Sequence, residues 1–140
     1  MSAVRAVALA VGLSFAATPA VAAAGTSHVL LWQTSNQSVS CGVKIHAPKK
    51  RATVILCSAA GIPKAKTGIG DPFVQIAAHG KARLVLISQN SFVGHKAKTL
   101  GAGAKWSRLG VTCTIASPTA TCKNKSGHGF TIGNGKYKSF

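Results

Sequence analysis

Four cysteines constrain this chain more than any other feature, because each lies in a short stretch that reads as a β-strand. Val39, Cys41, Val43 and Ile45 fall on one side of a two-residue period, with Ser40, Gly42 and Lys44 on the other. That is the pattern of a half-buried strand. His46-Ala47-Pro48-Lys49-Lys50-Arg51 is a polar turn, and Thr53-Val54-Ile55-Leu56-Cys57 reads as the return strand. Folded antiparallel about Lys49, the two strands bring Cys41 opposite Cys57. The arrangement recurs later. Val111, Cys113 and Ile115 share a face, Ser117-Pro118 turns the chain, and Ala120 and Cys122 return on the matching face. Four cysteines allow three pairings; strand register alone selects 41–57 and 113–122, each bridge stapling its own hairpin.

The remaining sequence continues the strand theme. Gly61 to Pro72 is punctuated by glycine and proline and reads as a loop. Phe73-Val74-Gln75-Ile76-Ala77 is a strand, His79-Gly80-Lys81 a turn, and Leu84-Val85-Leu86-Ile87 a run apolar on both faces. Such a run predicts a central strand covered on both sides. Ser91 to Lys105 reads as a glycine- and lysine-rich loop, with Trp106 to Leu109 leading into the second cysteine hairpin. Phe130 and Ile132 begin a last strand, and Asn134-Gly135 is a two-residue hairpin signal. No stretch after residue 24 has helical periodicity. The expected fold is all-β, a small antiparallel sandwich or barrel.

Residues 1–24 read as a secretory signal peptide: Arg5, an apolar stretch from Ala6 to Ala17, Pro19, then Ala20-Val21-Ala22-Ala23-Ala24. The apolar stretch is about a dozen residues, short of the roughly 20 that span a bilayer. Residues 25–140 then form one exported domain, secreted or periplasmic, with no later segment apolar enough to span. An even cysteine count in a small exported domain reads as a disulfide framework, whereas no Cys-x2-Cys pair suggests a metal site.

The last forty residues carry a resemblance. Leu109-Gly110-Val111-Thr112-Cys113, Ala120-Thr121-Cys122-Lys123-Asn124, Ser126-Gly127-His128-Gly129-Phe130 and the Tyr137-to-Phe140 ending resemble a family of small secreted bacterial proteins classed as a domain of unknown function. Its members have a signal peptide, an early strand leading into a cysteine pair, and a C-terminal cysteine hairpin closing with Gly-His-Gly-Phe and Tyr-x-x-Phe. Many members hold a further central cysteine pair. Leu86 stands where one of those would be, and residues 58–72 offer no partner. The resemblance implies export and a disulfide-bonded β-fold, and no reaction.

Charge directs the functional reading. Seventeen Lys and Arg face one acid, Asp71, for a formal net charge of +16. Paired-carboxylate hydrolysis, two-metal phosphoryl transfer and calcium loops all need more acids than that. A strongly basic exported domain attracts polyanions, so the expected partner is an anionic polymer or membrane surface, with Lys49-Lys50-Arg51 and Lys123 with Lys125 as candidate contacts. Sequence-specific nucleic-acid binding is not expected: aromatic residues are few and arginines fewer than lysines. No catalysis, metal or cofactor is expected. The alternative is a ribonuclease-like hydrolase using histidine and lysine, with His46, His79, His95 and His128 as raw material. A Ser-His-Asp triad would require Asp71. A third reading makes the charge purely solubilising, in a structural or antagonistic effector. Gly127-His128-Gly129-Phe130 is either an exposed imidazole site or a tight turn whose histidine bonds a nearby carbonyl. Asn36-Gln37-Ser38 and Asn124-Lys125-Ser126 are glycan acceptors only on a eukaryotic secretory route. Produced with its leader in an exporting bacterium, the protein should be recovered outside the cytoplasm, cleaved after Ala22 or Ala24. Its intact mass should lack the thiol hydrogens of both cysteine pairs; an uncleaved, fully reduced chain would refute the reading.

Overall fold

The computed structural model describes residues 26–46, 51–63, 68–87, 92–93 and 97–140. The expected leader and the candidate contacts Lys49 and Lys50 lie outside them. Twelve strands occur in the described residues: β1 Thr26–Thr34, β2 Val39–His46, β3 Arg51–Ala59, β4 Asp71–Ala77, β5 Arg83–Ile87, β6 Phe92–Val93, β7 Lys98–Leu100, β8 Lys105–Arg108, β9 Val111–Ile115, β10 Ala120–Asn124, β11 Gly129–Gly133 and β12 Lys136–Ser139. The first sheet runs β5-β4-β3-β2-β1-β6, and β7 also pairs with β1; the second runs β12-β11-β10-β9-β8. Apart from β6 and β7, which lie parallel to β1, every pairing is antiparallel.

Both cysteine hairpins form in the expected register. Cys41 faces Cys57, with a disulfide between Cα atoms 4.1 Å apart. Cys113 faces Cys122 with Cα atoms 4.0 Å apart, and Ile115 faces Ala120. The register about Lys49 holds from Val39 to Val43 and then slips, so that Ile45 faces Ala52 and His46 faces Arg51. A bulge absorbs the extra residue.

The two sheets carry the same lateral row. Trp32, Cys41 and Cys57 are register neighbours on β1, β2 and β3, and Trp106, Cys113 and Cys122 on β8, β9 and β10. The rows meet in the core. The sulfurs of Cys41, Cys57 and Cys122 all lie within 4.8 Å of one another, and the indoles of Trp32 and Trp106 are 6.1 Å apart, tilted by 54°. Val43, Ile55, Val74, Ile76, Ile115, Phe130 and Ile132 fill the space around them. The Trp32 indole N–H is buried without a hydrogen-bond partner, a cost of about 1–3 kcal/mol that the surrounding apolar burial must offset.

Three expectations change. The run from Leu84 to Ile87 is an edge strand, not a central one. Its two apolar faces have a different cause: Leu84 neighbours Val74 on the disulfide side, while Val85 neighbours Phe73 on the other. Leu56 and Phe73 are buried on that second side, and the Phe73 and Phe92 rings meet edge-on at 5.5 Å. Strands β4 and β6 would stand about 19 Å apart in a flat sheet, so the first sheet curls around a second, smaller apolar cluster. The loop ending at Pro72 is shorter than expected, because Asp71 and Pro72 open β4. Pro72 pairs only towards β5, since the β3–β4 ladder stops at Val74; a missing N–H is tolerated there. Within 91–105, expected as loop, lie β6, β7 and the first residue of β8. The last hairpin forms as expected, with Asn134 at φ 52° and Gly135 at φ 69°, both left-handed as a type I′ turn requires.

Replacing Cys41 and Cys57 together by Ala should lower the unfolding free energy by at least about 3 kcal/mol from loop entropy, and Cys113 with Cys122 by about 2.5 kcal/mol. Urea titration measures both. Either double variant unfolding at the wild-type midpoint would contradict the role given to that bridge.

Candidate functional site

One end of the molecule gathers three turns and the closing pair of the β2–β3 hairpin. Arg51 and His46 close the β2–β3 hairpin, and Val54, three residues further along β3, pairs with Ala77 at the end of β4. The β4–β5 turn therefore sits beside that hairpin. The β8–β9 turn, with Leu109 at φ 52° and Gly110 at φ 73°, abuts it: a Cβ on Gly110 would stand 2.8 Å from the Ala78 Cβ and 3.4 Å from the Lys125 Cε. The β10–β11 turn completes the group.

Asn124 fastens these turns. Buried to 6% exposure, its Nδ2 donates to the carbonyls of Ala77 at 3.0 Å and Gly80 at 2.7 Å. Its Oδ1 accepts the backbone N–H groups of Ser126 and His128, each at 3.1 Å. One amide thus ties the β4–β5 turn of the first sheet to the β10–β11 turn of the second. A second link runs beside it, where His79 Nδ1 lies 2.9 Å from Ser126 Oγ.

Around this clamp the surface is cationic. Lys81, Arg83, Arg108, Lys123 and Lys125 are all exposed, as is His79, and Arg51 opens β3 at the same end. The sole acid is remote. Asp71 starts β4 whereas His79 follows its end, so a strand of 7 residues, about 20 Å long, separates them. Asp71 instead lines a 340 Å³ cavity with Ser58, Gly61 and Ile62 at the far end. No triad can join Asp71 to His79 and Ser126 across that distance.

Two of the candidate contacts named from sequence, Lys123 and Lys125, thus share an end with Arg51. Lys81, Arg83 and Arg108 were not singled out, although each stands within three residues of Gly80 or Gly110, at turns the sequence marks. What the sequence does not mark is that the three turns meet.

Of the Gly127-to-Phe130 segment, Gly127 and His128 belong to the tight β10–β11 turn, and Gly129 and Phe130 open β11. Gly127 has φ 83°. His128 is half-buried; its backbone N–H meets Asn124 Oδ1 and its carbonyl accepts the Asn124 N–H at 2.8 Å. The sequence suggested a histidine bonded to a nearby carbonyl; the bonds this residue makes instead run through its main chain, to the side chain and backbone N–H of Asn124. A Cβ on Gly129 would strike the Cys122 carbonyl at 2.2 Å and the Phe140 ring at 2.7 Å, so the terminal aromatic lies over a glycine. Phe130 is fully buried beside Cys122.

Of the other histidines proposed for acid–base work, His46 ends β2 and His95 lies outside the described residues. The three clustered cysteine sulfurs belong to disulfides, and no free cysteine occurs among the described residues, so they offer no thiolate to a metal. Among the described residues no helix is long and apolar enough to cross a membrane. No protein-family model matches the chain, and neither a curated protein nor a solved structure matches it.

Asn124→Ala removes two donors to backbone carbonyls and an acceptor serving two backbone N–H groups, all in part-buried bonds. It should cost about 2–4 kcal/mol in urea denaturation with disulfides intact; a loss below about 1 kcal/mol, the net worth of a single ordinary hydrogen bond, would mean the turns hold together without the clamp.

Proposed function

We propose that the protein works outside the cytoplasm as a non-catalytic binder of anionic polymers or membrane surfaces, with the end fastened by Asn124 as its contact. The observation that carries this reading is the convergence of Arg51, Lys81, Arg83, Arg108, Lys123 and Lys125 at one end, with Asp71 at the opposite one. Cations fixed on adjacent turns raise the local potential and draw in polyanions from a distance. Lysines outnumber arginines in the chain, which favours contact through charge over bidentate readout of particular groups. Export follows from the signal-like leader and agrees with two disulfides. The resemblance to small secreted bacterial proteins points the same way.

The test is retention of the oxidised protein on immobilised polyphosphate, anionic vesicles and RNA along a salt gradient. Binding with a steep inverse dependence on salt is expected, weakened when Lys81, Arg83, Lys123 and Lys125 become Gln together. Absence of retention near physiological salt would leave the charge a solubilising device. RNA cleavage lost on replacing His79 or His128, both on turns of this end, would replace binding by hydrolysis.

A further inference from the structure

A second feature lies on the outer face of the second sheet, away from the disulfides. Register places Lys105, Thr114, Thr121, Thr131 and Lys138 in one straight row across all five strands. Lys105, Thr114 and Lys138 are exposed, and the hydroxyls of Thr121 and Thr131 stand 2.9 Å apart. Four strand spacings, about 19 Å, separate the two lysines. The row ends in a cavity of 420 Å³ lined by Thr119, Thr131, Asn134, Lys136 and Lys138. One wall is rigid backbone: Gly133 approaches the Pro118 carbonyl so closely that a Cβ would stand 2.6 Å from it.

We propose that this cavity and row bind an acidic polysaccharide, one uronate residue seated in the cavity and the chain running across the strands towards Lys105. The ligand's chemistry follows from the lining. Threonine hydroxyls and the Asn134 amide both donate and accept hydrogen bonds, which matches the hydroxyls of a sugar ring. Lys136 and Lys138 supply ammonium groups for a carboxylate, and no acidic side chain occurs in this sheet to oppose it. A lone phosphate is a poorer match, since no arginine fork lines the cavity. The side chains along the row are short and uncharged between its terminal lysines, so a polymer can lie flat on them. The inference rests on the proposed contact with anionic material for the sign of the ligand's charge, and it names a polymer class and a cavity at the end of the second sheet opposite the Asn124 clamp.

The test is an amide NMR titration of the disulfide-bonded protein with a galacturonate trimer, maltotriose and inorganic polyphosphate. The galacturonate trimer should shift the amides of Thr119, Thr131 and residues 134–138, and neutral maltotriose should bind far more weakly. Lys136→Gln with Lys138→Gln should weaken the trimer by at least about tenfold, the worth of one charged hydrogen bond, and leave polyphosphate retention little changed. These lysines are exposed, so the variant keeps its core. Trimer-induced shifts confined to residues 79–83 and 123–128, no shift at all, or unchanged trimer affinity in the double variant would overturn the sugar site. If polyphosphate is still retained in those cases, the broader reading of an anion binder survives. Loss of retention on every polyanion in the wild-type protein would remove both.

Discussion

The contact between the two cystines joins sheets that share no hydrogen-bonded strand pair among the described residues. Cohesion between them rests on what packs there: the sulfurs of three cysteines within 4.8 Å, the two indoles beside them, and the aliphatic side chains around both. Little else is available to this chain. With seventeen cations and one acid, ion pairing cannot supply cohesion, and self-repulsion works against the compact state. Covalent bridges within each sheet and apolar contact between them offset that repulsion. Polar links sit at the two ends: the Asn124 clamp at one, and at the other the Ser38 hydroxyl, which donates to the Pro118 carbonyl at 3.0 Å.

What the sequence disclosed of this fold was the part written locally. The hairpins around Cys41–Cys57, Cys113–Cys122 and Asn134-Gly135 each bring together residues close in the chain, so period and turn chemistry suffice to place them. The misreadings share an opposite cause. Strands β6 and β7 are two and three residues long and exist only because β1 offers an edge, so their own residues carry no period. Strand β1 was not marked by alternation, and its register with β2 shifts between Leu30 and Trp32, which breaks the pattern within the strand. For β5 the inference of apolar contact on both faces holds only in part, since Leu84 to Ile87 are each half-buried. The inference of a central position does not hold, because a curled sheet can wrap apolar groups on both sides of an edge strand.

The candidate site divides in the same way. Lys123 and Lys125 were visible as cations near a cysteine hairpin, and Arg51 as part of a basic turn. Their meeting depends on Asn124, which reads as an ordinary polar residue before a turn, or as a glycan acceptor. Burial excludes the second role, since Nδ2 is occupied by two carbonyls. Contacts 44 and 47 residues apart in sequence leave no periodic trace. The Gly-His-Gly-Phe motif shows the converse case. Its conspicuous histidine contributes main-chain atoms to the clamp, while the inconspicuous Gly129 is what allows the Phe140 ring to close over the strand.

Cohesion and charge therefore occupy separate parts of the molecule. The cystines and Trp32 are buried and Trp106 partly so, whereas the described lysines sit on turns and on outward strand faces, where water and counterions moderate their repulsion. Because lysine keeps its charge at the end of a long stem, cations can be concentrated at one end without drawing the core apart. The position of Asp71 fits this separation. At the far end of β4 it leaves the potential of the cationic end undiminished; placed near Lys81 or Lys125 it would neutralise a neighbour there. A surface whose charge is independent of the packing beneath it allows the cationic end to be altered while the disulfide-braced interior stays as it is.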